Sequence, residues 1–242
     1  MKAVTTSGKS WVRSVAGAVS RTRYVVVMIN NKFMKNLIVW DLETSGFVED
    51  PLARILEIGA MVIRDGEIVS RHSWLLNHGI EIPAKITEIT GITKELIDAE
   101  GKDPYTSLKE FTALFIPNQS NLTHNGIRFD LPFLEKELLH FTGNDPEKKF
   151  DVKKMILHLS NAALDTAAEY KGRKLKMVQS DEEDFLDYAR RVLDTRVYGL
   201  KYSIATCCDD LKIDRTNITQ HRALGDVELT YKIYQKLHDS NT

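Results

Sequence analysis

The sequence predicts one α/β domain built on a mixed sheet. Three strand-like runs come first, at residues 36–40, 55–64 and 68–76, and the last two flank Asp65-Gly66, a strong hairpin signal. Helical and strand-like segments then alternate, which favours parallel strands joined through helices. The chain contains no internal repeat and no linker rich in Pro, Gly or Ser that would divide it.

The segments after the hairpin are mostly helical. A helical pattern surrounds Ile86, and Asp103-Pro104 combines an N-cap residue with proline at the first helical position. Residues 121–124 form a short strand-like run between helices. Apolar residues at helical spacing predict further helices over residues 129–140, 151–159, 202–211 and 227–237. We predict that the charged segment at about 160–195, which includes the acids at 181–184, is a solvated helical insertion.

The first 34 residues form a basic arm. Residues 1–40 carry seven of the 33 basic residues and no acid, so residues 41–242 hold 26 basic against 34 acidic residues, a net charge of −8. We expect an extended or disordered start, and the alternative is an organelle transit peptide that would direct the chain to mitochondria. The acidic body argues against a DNA-binding protein with a broad basic face. It suits an enzyme that gathers carboxylates around metal ions.

The composition predicts an intracellular, cytoplasmic protein unless the arm is a transit peptide. The only cysteines, Cys207 and Cys208, are adjacent and show neither metal-binding spacing nor a disulfide framework. No apolar run approaches the roughly 18 residues of a membrane span, so we expect no membrane contact.

Asp41 and Glu43 end the first strand-like run. Side chains alternate along a strand, so residues two apart point to the same face. Two neighbouring carboxylates repel, and each raises the pKa of the other unless a positive charge lies between them. Oxygen ligands of this kind suit Mg²⁺ or Mn²⁺ better than Zn²⁺. The alternative is a solvated strand end with two independent acids.

Two later segments carry further candidate residues. Asp130 follows the polar stretch that begins at His124-Asn125, and taken alone it is typical of the first turn of a helix. His221 lies five residues before Asp226, just ahead of the last helix, where a lone histidine is more often a surface or capping residue.

Taken together, these motifs resemble the DEDDh family of 3′–5′ exonucleases. The resemblance rests on Asp41-x-Glu43, Asp130, and His221 followed by Asp226, in that order. Lesser similarities lie around these motifs, namely Thr44, Gly46, Ile58-Gly59-Ala60, residues 90–93 and Asp151. The resemblance covers about residues 35–240. It implies an RNase H-like fold, with a mixed five-stranded sheet flanked by helices, and a single exonuclease domain over residues 35–242.

The resemblance also implies a role for each acid. Two divalent cations, Mg²⁺ or Mn²⁺, would be bound, with Asp41 bridging both and with Glu43 and Asp226 on the first. Asp130 would support the second, partly through water. Such a pair of ions stabilises the attacking oxygen, the leaving oxygen and the charge on phosphorus.

The same resemblance points to a general base and to substrate contacts. His221 stands in the family's catalytic position, and histidines in general titrate near neutral pH. His124 is the second choice. The expected contacts to the 3′ end involve Leu42, Thr44, Asn125 and Phe129, although an aromatic residue such as Phe129 is equally common in a core. Arg128 either touches a phosphate or is an exposed arginine.

The function implied is hydrolysis of single-stranded nucleic acid from its 3′ end, with release of nucleoside 5′-monophosphates. DNA is the favoured substrate, in proofreading or repair, with a polymerase as a partner in trans. One alternative is an exoribonuclease similar to ribonuclease T or oligoribonuclease. A remote alternative is a nucleic-acid-binding module without catalysis.

Overall fold

The computed structural model describes residues 35–144, 147 and 149–239. The predictions made for the arm, an extended start or a transit peptide, concern residues 1–34 and lie outside the described residues.

Five strands form one mixed sheet, as predicted. Its strand order is β3-β2-β1-β4-β5, in which β1 pairs antiparallel with β2 and parallel with β4. β2 and β3 are antiparallel, and β4 and β5 are parallel. The strands are β1 (Leu37–Thr44), β2 (Ile55–Arg64), β3 (Glu67–Leu75), β4 (Ser120–Thr123) and β5 (Ala163–Asp165).

The hairpin between β2 and β3 turns at the predicted Asp65-Gly66. The φ angles of these two residues are 52° and 88°. A turn with two central residues at positive φ matches the right-handed twist of the flanking strands, and only residues that tolerate the left-handed region fit there. The Asp-Gly pair therefore fixes the tight turn, and the β2–β3 register shifts once beyond it, between Val62 and Ile63.

Nine helices surround the sheet in the part of the chain that is described. They are α1 (Ala84–Thr90), α2 (Lys94–Glu100), α3 (Pro104–Thr112), α4 (Asp130–Asn144), α5 (Val152–Asn161), α6 (Thr166–Leu175), α7 (Phe185–Asp194), α8 (Ile204–Asp210) and α9 (Ala223–His238). The predicted cap of α3 is confirmed, since Asp103 accepts a hydrogen bond from the backbone N–H of Thr106 at 2.8 Å. Among the described helices, none has the length and apolarity that crossing a bilayer would require.

The two faces of β1 serve different purposes. Ile38, Trp40 and Leu42 belong to the larger core, which β2 and helices α3, α4 and α5 share. Leu37 and Val39 point the other way and pack against the side of α9 that carries Val227 and Tyr234. Because side chains alternate along a strand, Asp41 and Glu43 continue the face that α9 covers.

The segment at about 160–195, predicted as a solvated helical insertion, contains a short strand as well as helices. Residues Ala163–Asp165 form β5, which completes the sheet beside β4. A strand of three residues is too short to show a two-residue period, and its flanking helical patterns hide it in the sequence. Helices α6 and α7 follow it, and α7 packs on β5 through Ala189 and Leu193.

Candidate active site

Three carboxylates meet at the carboxyl end of β1. Asp41 and Glu43 lie on the face of β1 that α9 covers, and Asp226 lies in the first turn of α9. One oxygen of each residue lies within 4.8 Å of the others. The strand period and the position of α9 together produce this group of acids, which is of a size that one cation could bind.

Gly59 allows α9 to approach this close. It pairs with Asp41 across the β1–β2 ladder, on the same face. A Cβ atom at this position would lie 2.4 Å from the backbone carbon of Ala223 and 2.6 Å from the backbone nitrogen of Leu224. The bare backbone at Gly59 therefore lets the first turn of α9 rest on the sheet beside the acids.

Burial and mutual repulsion dominate the electrostatics of the three acids. Burial raises the pKa of Asp41 well above its usual range, and the neighbouring acids raise it further. The pKa of Glu43 rises to about 8, mainly by burial, although the Arg222 guanidinium opposes the shift. Burial likewise raises the pKa of Asp226. A bound cation would remove the cost of holding these charges together.

Asp130 lies beside this group but is not one of the three. It begins α4, and its Oδ1 accepts a hydrogen bond from the backbone N–H of Leu42 at 2.9 Å. Burial raises its pKa to about 7, although the Leu42 N–H works against that shift. Asp130 therefore joins the start of α4 to β1 and faces Asp41, which it repels electrostatically.

His221 lines a cleft together with Asp226, one of the three acids. The cleft has a volume of about 650 Å³, and its lining includes His221, Asp226 and Asn125. The His221 side chain is exposed, and its backbone adopts φ 58° in the left-handed region. The backbone N–H of His221 donates a long hydrogen bond, 3.4 Å, to Asp226 Oδ1. His221 thus places a solvent-exposed imidazole next to Asp226.

His124, the second choice for a base, is engaged within the fold. Its Nδ1 lies 2.8 Å from the Thr166 hydroxyl, and its Nε2 lies 2.8 Å from the Tyr202 carbonyl. Burial lowers its pKa to about 4. Because both ring nitrogens have partners, His124 holds neighbouring segments together and has no nitrogen left for a water molecule.

Two of the expected substrate contacts lie at the end of β1. The Leu42 side chain is 4% exposed and belongs to the core, while its N–H is bound to Asp130. The Thr44 hydroxyl donates to the Gly46 carbonyl at 2.8 Å. Both residues therefore make contacts within the fold, and their role towards substrate stays a prediction.

The remaining expected contacts follow β4. Asn125 lines the cleft, and its buried Oδ1 has no hydrogen-bond partner among the residues that the structure describes. Phe129 packs against the core, with its ring centre 5.8 Å from that of Phe133. Arg128 donates to the Leu193 carbonyl at 3.2 Å. Asn125 is thus the one of these three that presents an unused polar atom beside the cleft.

Glu57 is a residue of the site that the sequence analysis missed. It pairs with Glu43 across the ladder and is 1% exposed. It accepts two hydrogen bonds from Arg222, at 2.9 and 2.8 Å, and one from the backbone N–H of Ala223 at 3.1 Å. The only available signal is a single acid within the apolar run ILEIGAM of β2.

Asp165 is a second residue that sequence reasoning missed. It ends β5 and is fully buried, and its carboxylate accepts hydrogen bonds from four backbone N–H groups. Two of these donors cap α6, and the other two belong to Asn125 and Ile127. Burial raises its pKa to about 6. Asp165 therefore fixes the loop that leads from β4 to Asp130.

The donor set fits a divalent cation that prefers oxygen. Asp41, Glu43 and Asp226 supply only carboxylate oxygens, which favour Mg²⁺ or Mn²⁺ over softer metals. The crowded like charges, whose pKa values are all raised, would be stabilised by a positive charge between them.

Comparisons with known proteins agree with this geometry. The family model RNase_T, described as Exonuclease, matches residues 38–234. The chain is 35% identical over 107 residues to a DNA polymerase III of PolC type from Clostridium perfringens, covering 44% of this chain and 7% of that protein. It is 33% identical over 104 residues to the 3′-5′ exonuclease DinG of Bacillus subtilis, covering 43% of this chain and 11% of that protein.

The fold has a counterpart among solved structures. Exonuclease I of E. coli, in complex with a dA16 oligonucleotide, superposes with a TM-score of 0.59 at 17% identity. The match covers 84% of this chain and 40% of that one. The chain thus spans about a tenth of the two relatives and less than half of this structural neighbour. With its family match over residues 38–234 and its ordered acids and histidine, the chain belongs to the exonuclease family, as a member of the DEDDh 3′–5′ exonucleases.

Proposed function

We propose that the chain hydrolyses single-stranded nucleic acid from its 3′ end and releases nucleoside 5′-monophosphates. The observation that carries the proposal is the group formed by Asp41, Glu43 and Asp226, with His221 exposed at the same cleft. Acids two residues apart on a strand have no structural need to meet a third acid from a distant helix, and that third acid, Asp226, lines the cleft. Their convergence supports phosphodiester chemistry.

The chain's own residues have distinct tasks in this proposal. Asp41, Glu43 and Asp226 would hold a divalent cation, and Asp130 would support a second one beside Asp41. When bound, the two cations supply Lewis-acid stabilisation of the charge that builds on the phosphate. Mg²⁺ or Mn²⁺ is proposed because every donor is a carboxylate oxygen.

His221 is proposed as the general base. It takes a proton from the water that attacks phosphorus. The bond from phosphorus to the 3′ oxygen of the preceding nucleotide breaks, and that oxygen takes up a proton from solvent. The shortened strand keeps a 3′-hydroxyl, and the released nucleotide keeps a 5′-phosphate. The exposure of His221, set against the two engaged nitrogens of His124, supports this choice.

We propose DNA as the substrate and an intracellular setting in which the chain works beside a polymerase. The support is indirect: one relative is a DNA polymerase III, and the structural neighbour holds a deoxyadenosine oligonucleotide. The two cysteines are buried free thiols, which agrees with a reducing environment.

The first test uses a 5′-labelled single-stranded DNA 12-mer with Mg²⁺. Shortening by one nucleotide at a time, lost in Asp41→Ala at unchanged binding of the strand, would support the proposal. Cleavage of a circular single strand would contradict a 3′-end requirement. If the wild type binds the strand but never shortens it, the chain is a binding module.

The second test separates the base from the ligands. We expect His221→Ala to lower kcat by about 10²- to 10⁴-fold, with a much smaller change in the Mg²⁺ concentration needed for half-maximal activity. The same assay with RNA strands of 2 to 5 and of 12 nucleotides would distinguish the exoribonuclease alternative. A His221→Ala variant that keeps its turnover would assign the proton transfer elsewhere.

A further inference from the structure

We propose that residues 196–202, the 196–202 loop, bind the single strand behind its 3′-terminal nucleotides. This inference rests on the exonuclease function proposed above and extends its site. The cleft that His221 and Asp226 line is also lined by Lys201 and Tyr202. A strand with its 3′ end at the acids would pass these two residues of the loop on its way out of the cleft.

The tip of the loop presents an aromatic side chain to solvent. Leu200 N–H donates to the Val197 carbonyl at 3.4 Å, and Gly199 takes φ 79° at the third position of this turn. Glycine at that position is typical of a type II turn. Tyr198, at the second position, is fully exposed. A large ring held away from the core on a closed turn is available for stacking against a base.

The base of the loop is fixed on both sides. The buried Lys171 donates to the Leu193 carbonyl at 2.8 Å, and its Nζ lies 4.7 Å from the ring centre of Tyr202. The Tyr202 carbonyl is held in turn by His124, next to Asn125 of the cleft. The loop therefore has a defined position relative to the site while its tip extends into solvent.

The charge of the loop is opposite to that of the body. Arg196 and Lys201 are exposed, and neither forms an ion pair within the described part of the chain. Residues 195–208 contain no Asp or Glu, although residues 41–242 as a whole are acidic. Unpaired cations beside a cluster of acids would attract the phosphates of a strand and hold it against the repulsion of that cluster.

These features favour single-stranded nucleic acid as the occupant. An aromatic ring next to two cations is the combination that binds an unpaired strand, since every base offers a face for stacking and every nucleotide a phosphate. In a duplex the bases are already stacked on one another, and the Tyr198 ring would have no free face to meet. The cleft supplies continuity with the reaction site, because its lining joins Lys201 to Asp226.

The test compares kcat/KM on a single-stranded DNA 12-mer with kcat/KM on a trinucleotide. We expect Tyr198→Ala to lower the ratio of the two values about tenfold, whereas Tyr198→Phe keeps it. We expect the double variant Arg196→Ala with Lys201→Ala to reduce the slope of log Kd for the 12-mer against log salt by about 1.4, because each single-strand phosphate contact contributes about 0.7.

Lys236→Ala is the matched control. It removes one positive charge from α9, ten residues and about 15 Å beyond Asp226. It should leave both the kcat/KM ratio and the salt slope unchanged.

An unchanged ratio and slope in the loop variants, or an equal loss on both substrates, would overturn the proposal. If the wild type cleaves neither substrate, the exonuclease proposal fails, but the Kd of a labelled 12-mer, measured by fluorescence anisotropy, still tests the loop. Loop variants that bind the 12-mer as tightly as the wild type would then refute the proposal for the loop.

Discussion

Arg222 and Glu57 form a bidentate ion pair between α9 and β2. Nε and Nη2 of Arg222 lie 2.9 and 2.8 Å from the carboxylate oxygens of Glu57. Arg222 is the N-cap residue of α9, but it makes no capping hydrogen bond of its own. Glu57 replaces the missing cap by accepting from the N–H of Ala223. This one carboxylate therefore holds the segment between His221 and Asp226 against β2.

We expect Glu57→Gln to lower the free energy of unfolding by about 2 kcal/mol, because a charge-assisted, buried pair is lost. We also expect kcat to fall about tenfold, with a smaller change in KM, since Asp226 and His221 lose their common support. Urea unfolding and steady-state kinetics would measure both. Arg71→Ala, which breaks an exposed pair with Glu228, should change stability by less than about 0.5 kcal/mol. A Glu57→Gln variant with wild-type turnover would show that Glu57 does not position the residues of the site.

Gly59→Ala should separate the helix from the acids of the strand. The added methyl group would lie 2.4 to 2.6 Å from backbone atoms of Ala223 and Leu224, which cannot move aside as a flexible side chain would. We expect a loss of about 1–3 kcal/mol in stability and a fall of at least tenfold in kcat/KM, measured by urea unfolding and by the 12-mer assay. Gly143→Ala in α4 is the matched control, because no described atom outside the helix's own backbone and the neighbouring residues lies within 4 Å of the added methyl group, and it should be neutral or slightly stabilising. Equal activity in the two variants would contradict the idea that activity requires the close approach of α9 to β2 at Gly59.

The parts of the site that follow local rules are visible in the sequence. Asp41 and Glu43 share a face because side chains alternate along a strand, and Asp65-Gly66 defines a hairpin because few other pairs tolerate its backbone. In both cases the relevant residues lie within a few positions of one another. Such short-range patterns predicted the first three strands.

The parts that depend on distant partners are not visible in the same way. Glu57 contacts Arg222 across 165 positions, and an isolated acid in an apolar strand gives no indication of its partner. Asp165 is hidden in a strand of three residues and binds a loop 40 positions earlier. Long-range contacts of buried carboxylates decide these roles, and only the assembled sheet brings the partners together.

Asp41→Asn should stabilise the protein in the absence of divalent cations while abolishing its activity. Burial and neighbouring acids raise the pKa of Asp41 and raise that of Glu43 to about 8. Because these pKa values are raised in the folded state, stability is lost as the pH rises, for Glu43 between 4.5 and about 8. Removing one of the charges should therefore increase the stability at pH 8 by about 1–2 kcal/mol, and by less at pH 5.

Thermal unfolding in EDTA, at pH 5 and pH 8, would measure this effect. Adding Mg²⁺ should raise the Tm of the wild type, because a ligand of the folded state stabilises it by mass action, and should raise that of Asp41→Asn much less. Glu88→Gln, at an exposed position of α1, is the control and should leave both melting curves unchanged. A metal-free Asp41→Asn protein that is less stable than the wild type at pH 8 would contradict the repulsion.

His124→Gln should weaken the acid sensitivity of folding. Burial lowers the pKa of His124 from 6.5 to about 4, so the unfolded chain binds a proton that the folded chain excludes. The sign follows from linkage: stability is complete above pH 6.5 and is lost as the pH falls towards 4. At pH 5 the loss amounts to about 2 kcal/mol relative to pH 7.5.

Urea unfolding at pH 5 and pH 7.5 would measure this effect. We expect the free energy of unfolding to differ less between the two pH values in His124→Gln than in the wild type, by about 2 kcal/mol. The contributions of the other groups are the same in both proteins and cancel. An equal pH dependence in both proteins would mean that His124 is protonated within the fold, which would reopen the choice of general base.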